Sequence, residues 1–272
     1  MKTLEEIMNL IELQTEVKEL VFQAAMKLDF DDLEYDILKL TYIESAPEAK
    51  NSLKERLEPD TGNIKLLTCF LYAARFTYGK YKELYITEKI FKDTLKAIPR
   101  FIDEHFVSYN KWAFDRDWWA YRQLALTLFR IGVLEYEMKE TKDAKYISIH
   151  IPSDANIKIE NVIKSLKEAK VFFNTYYPEF NDVDYRCSSW LLSSDLDNVL
   201  PPTSNIIKFK NLFNITSENY NSNGFIKWIY KGDYSNLTDL PEDTTLQRNL
   251  KTYLLEGNSV SVAAGFIDFN RV

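Results

Sequence analysis

The sequence predicts an α+β protein, with an all-helical N-terminal half over residues 1–113 and a strand-containing C-terminal half over residues 114–272. Three observations lead there. Apolar residues recur three and four apart through the N-terminal half, the spacing of one helix face. Alternating apolar and polar runs, the mark of strands, begin only after Phe114. Proline and glycine separate the segments in both halves.

Residues 4–27 carry Leu4, Ile7, Met8, Ile11, Val17, Leu20, Val21, Ala24 and Ala25 on one stripe, which predicts a single amphipathic helix. Helical patterns follow over 33–42, 47–56, 64–78 and 85–106, punctuated by Pro47, Pro59, Gly62 and Gly79. Another helix is expected over 117–129 with Asp117 as its N-cap. Its Trp118, Trp119, Tyr121, Leu124, Ala125, Leu126, Leu128 and Phe129 leave almost no polar face, which predicts burial on all sides. Residues 131–138 and 146–151, joined by a charged loop, read as an antiparallel hairpin. Pro152 to Ala155 then turn the chain into a periodic helix over 159–176 that stops before Pro178. Beyond it, 186–192 reads as a short strand, 195–200 as a helical turn, 225–230 as a strand, 245–255 as a helix and 260–269 as a closing strand. That order predicts a sheet with helices laid against it.

Composition removes several function classes. The net charge of −7, from 41 acidic and 34 basic residues, offers no general positive field for a nucleic-acid backbone. A hydrophobic content of 46% is ample for packed cores and argues against disorder. The chain start lacks the basic and apolar pattern of a signal peptide, and nothing approaches the roughly 18 apolar residues of a membrane span. A soluble, cytoplasmic protein without a membrane partner is expected. Cys69 and Cys187 are far apart and fit neither a disulfide framework nor a metal motif, and His105 and His150 are the only histidines. No metal is expected.

Three groupings could carry chemistry. In the first, Tyr146, Ser148 and His150 alternate with Ile147, Ile149 and Ile151, so the isoleucines face a core and the polar set faces away. A helix beginning just past this strand aims unpaired N–H groups at whatever lies there, which suits an anion. Ser153, Asp154 and Asn156 are also the residue types that cap such a helix. His150 titrates in the range of a general base. Glu135 and Glu137 share one face of the preceding strand, and in one of two hairpin registers it is the face of His150. The second grouping is Trp118, Trp119, Arg122 and Gln123, where a guanidinium in apolar surroundings needs a carboxylate, a carbonyl or a ligand phosphate. Asp115 and Asp117 are the nearby carboxylates. The third is Cys187, either a nucleophile paired with His150 or an inert buried thiol. Thr244 and Gln247 stand at capping-box spacing.

Six stretches together resemble a known family. They are Phe114-Asp-Arg-Asp-Trp-Trp-Ala-Tyr-Arg-Gln-Leu124, Phe129-Arg-Ile-Gly-Val-Leu-Glu-Tyr-Glu-Met138, Ile149-His-Ile-Pro-Ser-Asp154, Ser189-Trp-Leu-Leu192, Ser204-Asn-Ile206 and Thr245-Leu-Gln-Arg248. The family is a bacterial one of acyltransferase-domain proteins, in which a helical N-terminal domain precedes a GNAT-like C-terminal domain. The resemblance runs from about Phe114 onward and more loosely through the helical half. It implies a GNAT-like α/β domain with a mostly antiparallel mixed sheet. It also implies acyl-CoA or acetyl-CoA as cosubstrate, held after a central strand at Ser153, Asp154 and Ala155. On this reading His150 or Glu135 deprotonates an amine, and Trp119, Arg122, Gln123, Cys187 and Trp190 line the substrate site. The rival reading is a catalytically silent module that binds a small ligand or partner. The glycine-free turn with its acidic Asp154 fits the rival, and the grouping of Ser153 with His150 fits the enzyme.

Overall fold

The computed structural model describes residues 2–221, 224–232 and 234–272. The chain forms two compact units, Met1–Ile131 and Gly132–Val272.

The first unit holds α1 (Leu4–Leu10), α2 (Thr15–Ala25), α3 (Phe30–Lys39), α4 (Ala46–Leu57), α5 (Ile64–Glu83), α6 (Glu88–Leu95), α7 (Ala97–Tyr109) and α8 (Asp117–Leu124), and ends in the short strand β1 (Leu128–Ile131). Helix α5 is the axle. Leu66, Leu67, Cys69, Phe70, Leu71, Ala73 and Ala74 are buried along it, an apolar surface too wide for one partner, and α1, α2, α3, α4, α6 and α8 pack around it.

Three helices differ from expectation. Residues 4–27 make two helices, because Glu12 takes a left-handed conformation (φ 59°). Its carboxylate sits 2.7 Å from Lys92 and 2.6 Å from Lys96, and these lysines hold its pKa down at about 2. Residues 85–106 also divide, at Lys96, and Pro99 falls in the first turn of α7, where its missing N–H costs no helical bond. The helix expected over 117–129 stops at Leu124, as Leu126 turns left-handed (φ 54°) and the chain extends into β1. It is not enclosed on all sides, since Trp118 is 52% exposed. Asp117 does not cap it through its side chain: the N-cap is Arg116, and the buried Asp117 carboxylate meets Lys54 at 3.2 Å and Lys50 at 3.4 Å. That pairing helps bind α8, which the sequence reading places in the C-terminal half, to α4 of the first unit.

The second unit contains β2 (Leu134–Glu140), β3 (Lys145–His150), α9 (Ile159–Tyr176), β4 (Asp184–Ser189), α10 (Leu196–Val199), α11 (Asn205–Lys210), β5 (Phe213–Asn219), α12 (Gly224–Tyr230), α13 (Thr245–Leu255) and β6 (Val262–Ile267). Its strands lie in the order β2-β3-β4-β6-β5, with β3 and β4 parallel and the other pairs antiparallel, the mostly antiparallel mixed sheet that was expected. One face packs on α9. There Tyr136 is fully buried, with its hydroxyl 2.8 Å from Ser165 Oγ and its ring edge-on to Phe173.

The α10 to α13 segments share a separate core of Leu196, Val199, Ile207, Phe225, Ile229, Tyr230, Leu250 and Leu254. This core overturns the expectation of a strand over 225–230. Phe225, Ile229 and Tyr230 are spaced for one helix face, and the Gln247 side-chain amide donates to the Ile229 carbonyl (3.1 Å). Gln247 also completes the foreseen capping box, its backbone N–H donating to Thr244 Oγ1 (3.2 Å). The strand expected over 186–192 ends at Ser189, whose hydroxyl accepts from Leu191 N–H and starts a 3-10 turn. Strand β5 was not foreseen.

Gly265 sits where β6 passes a bulge in β5 between Ile215 and Ser217. A Cβ there would come within 2.6 Å of the Asn214 carbonyl oxygen, too close for any side chain. Gly265→Ala is expected to lower the unfolding free energy by about 1–3 kcal/mol, read from urea denaturation; an unchanged midpoint would contradict this packing. Both cysteines are enclosed, Cys69 in α5 and Cys187 in β4, and burial pushes each thiol up to about 12. A thiol-titrating disulfide reagent at pH 8 should therefore find no reactive thiol in the native protein and both after unfolding.

Candidate active site

The register of the β2–β3 hairpin settles which side chains share a face. Glu135 lies opposite His150 and Glu137 opposite Ser148, so both glutamates project on the side of the sheet that carries Ser148 and His150. Tyr136 and Ile149 are paired on the other side, against α9. Both glutamates are buried, each 3% exposed, and His150 is half-buried. A hydrogen bond of the histidine runs diagonally: His150 Nε2 is 2.9 Å from Glu137 Oε2. The other oxygen of Glu137 is 2.6 Å from Lys139 Nζ, two residues along the same strand.

Parallel pairing between β3 and β4 is short. It joins Tyr146 to Asp184, Ile147 to Tyr185 and Ser148 to Arg186, and there it stops. Strand β3 continues through Ile149 to His150, while Cys187, Ser188 and Ser189 of β4 pair with β6 alone. His150 thus stands where β3 has left its neighbour, on the approach to the loop that leads into α9.

In that loop Pro152 to Ala155 form a turn closed by the Ala155 N–H donating to the Pro152 carbonyl (3.0 Å), with Ser153 and Asp154 exposed. The expectation that Ser153, Asp154 or Asn156 caps α9 is not met. The N-cap is Lys158, with no side-chain capping bond, and Asn156 Oδ1 instead accepts from the Lys158 N–H (3.3 Å). A lysine at this position adds a positive charge to the positive end of the helix dipole. Lys158 escaped the sequence reading because its type is not one that caps.

Trp119, Arg122 and Gln123 belong to α8 in the first unit. The Arg122 guanidinium lies 4.3 Å from the Trp119 ring centroid and 5.9 Å from that of Tyr121, a cation–π arrangement. Neither nearby aspartate serves it, as Asp115 is bonded to His105 (3.1 Å) and Asp117 to the two lysines. Gln123 is 1% exposed, and its amide is satisfied with the nitrogen donating to the Trp119 and Ala120 carbonyls and the oxygen accepting from the Trp119 indole N–H. It braces Trp119.

In the second unit Cys187 alternates with Arg186 and Ser188 and points with Tyr185 into the α9 side of the sheet, away from the side of His150. Enclosed and held as a thiol by its raised pKa, it is no nucleophile. Trp190 packs against the α10–α13 core. Near the end of β4 a hydroxyl network joins Ser193, Asp195, Ser261 and Glu218, with Ser193 and Ser261 fully buried and their oxygens 2.7 Å apart. It ties the starts of α10 and β6 together and serves the fold. A cavity of about 220 Å³ bounded by Lys170, Phe180, Asp182 and Phe269 lies at the opposite end of the sheet and includes none of the candidate residues. Among the described residues no cluster of His, Cys, Asp and Glu is placed to hold a metal ion, and no helix is long and apolar enough to cross a membrane.

Comparison with known proteins agrees with this architecture. No curated protein matches the chain. Among solved structures it is similar to an acyltransferase in complex with decanoyl-CoA and teicoplanin, at a TM-score of 0.80 and 21% identity, covering 97% of this chain and 87% of that one. It is likewise similar to an acyltransferase mutant in complex with octanoyl-CoA, at a TM-score of 0.80, 20% identity and the same coverage. A third, in complex with CoA and 10C-teicoplanin, matches at a TM-score of 0.80, 20% identity, and 97% and 87% coverage. Residues 2–126 match the N-acyltransferase N-terminal domain and residues 128–267 the GNAT-like C-terminal domain. The chain belongs to the family that joins these two domains, and its fold is that of an acyltransferase.

Proposed function

We propose that this protein transfers an acyl group from acyl-CoA to the nitrogen of an amine-bearing small molecule. The observation that carries the reading is the early end of the β3–β4 ladder with His150 at the strand terminus, on the polar side of the sheet and just before the loop to α9. Strands that stop pairing midway leave backbone groups able to bond a ligand in place of a neighbouring strand. The first N–H groups of α9, with Lys158 beside them, suit the phosphates of the cosubstrate. Ser153, Asp154 and Ala155 form the turn that would pass along it.

In the reaction the amine nitrogen attacks the thioester carbonyl carbon. His150 takes the proton that the nitrogen loses, the C–S bond breaks, and coenzyme A leaves as a thiol after gaining a proton. A positioned base of this kind is worth about 100-fold to 10,000-fold in rate. Glu135 stands opposite His150 in the ladder and contributes negative potential to the same face. The acyltransferases of similar fold were captured with decanoyl-CoA, octanoyl-CoA and teicoplanin, which favours a medium-length acyl chain and a sizeable acceptor here.

One observation favours the binding-module reading. Residues 151–158 contain no glycine, and the exposed Asp154 carboxylate would repel a phosphate placed against it. Two measurements separate the readings. Saturating decanoyl-CoA should raise the thermal midpoint by several degrees, because a ligand bound only by the native state stabilises it. His150→Ala should leave the midpoint without ligand nearly unchanged and lower turnover with a responsive amine acceptor at least 100-fold. A midpoint shift with no turnover on any acceptor would support the silent module; no shift at millimolar ligand would reject acyl-CoA altogether.

A further inference from the structure

We infer that Glu137 is a positioning residue for His150, and that it fixes the imidazole in the tautomer whose hydrogen is on Nε2 and whose basic nitrogen is Nδ1. The inference rests on the reading of His150 as the base and specifies which atom would take the proton.

Strand pairing alone would nominate Glu135, the residue directly across from His150. His150 Nε2 also reaches Glu137 Oε2 at 2.9 Å, along the diagonal between neighbouring pairs, where long side chains on a twisted hairpin meet. Each oxygen of Glu137 meets a donor, with Lys139 Nζ 2.6 Å from Oε1. An ionised carboxylate only accepts hydrogen bonds. The ring nitrogen facing Oε2 must then carry hydrogen, and in a neutral imidazole the other nitrogen holds the lone pair. Burial strengthens the constraint, because the Glu137 side chain is 4% exposed and water competes little for its oxygens.

Nitrogen-15 NMR of the full-length protein, at a pH where imidazole is neutral, tests this without substrate. The chain holds two histidines, and His105 supplies a contrast because Asp115 meets its Nδ1 at 3.1 Å. His150 should show hydrogen on Nε2 and His105 on Nδ1, with His105→Gln assigning the two signals. Glu137→Gln should mix the tautomers of His150, since an amide offers either a donor or an acceptor, and should lower kcat by roughly 10-fold to 100-fold with little change in KM, the usual scale for a partner that orients a functional histidine. Glu137→Asp should restore part of the loss. Hydrogen on Nδ1 of His150 in the unaltered protein would overturn the inference, as would a Glu137→Gln variant with tautomer and kcat unchanged. Should Glu137 control the tautomer while His150→Ala keeps full turnover, the positioning role would stand and the assignment of the base would fall.

Discussion

Slipping β2 past β3 by a single residue would exchange the two faces of the hairpin, turning Tyr136 away from Ser165 and pressing Glu135 and Glu137 against the phenylalanines of α9. The polar side of the sheet depends on this register being held. Ile147 and Ile149 have no other place to bury, and the Tyr136 hydroxyl finds its partner on α9 only in this alignment. A packing requirement on one face therefore dictates the electrostatics of the other. His150 receives a buried carboxylate as neighbour because isoleucines two residues apart were anchored behind it.

Much of this organisation is legible in the sequence, and the exceptions have physical causes. Helices α9 and α13 follow the expected bounds because each combines a sustained apolar stripe with a clear boundary, Pro178 after α9 and the Thr244–Gln247 box before α13. The register was open because the alternation of β2 and β3 is compatible with either pairing; the tertiary partner, α9, makes the choice. Residues 225–230 form a short apolar run, for which periodicity cannot separate a strand from one buried helical turn. Strand β5 was invisible for the opposite reason: Asn214, Thr216, Ser217, Glu218 and Asn219 give it no apolar alternation, and its pairing with β6 is carried by the backbone. In the proposed site, alternation in the sequence puts His150, Glu135 and Glu137 forward as candidates, whereas the diagonal contact between His150 and Glu137 is one that no linear pattern encodes.

The two units solve the problem of the buried charge in different ways. In the helical unit Asp117 is met by two lysines projecting from α4, a pairing whose net contribution is reduced by the cost of removing three charges from water. In the sheet unit Glu137 meets a lysine from its own strand and an imidazole from the next. The first arrangement couples helices. The second leaves a carboxylate directed at an imidazole, the kind of environment in which a histidine is held at a defined orientation.

Strand β5 closes one side of the sheet, and its makeup bears on how copies of this protein meet. An exposed strand edge invites another chain to extend the sheet, which is the first step of many aggregates. Here the edge combines a bulge after Ile215 with the polar run Thr216 to Asn219, so an approaching strand would find a kinked backbone and side chains that keep their water. The residues that give β5 no apolar alternation in the sequence thereby disfavour strand addition at the place where an open sheet is most vulnerable.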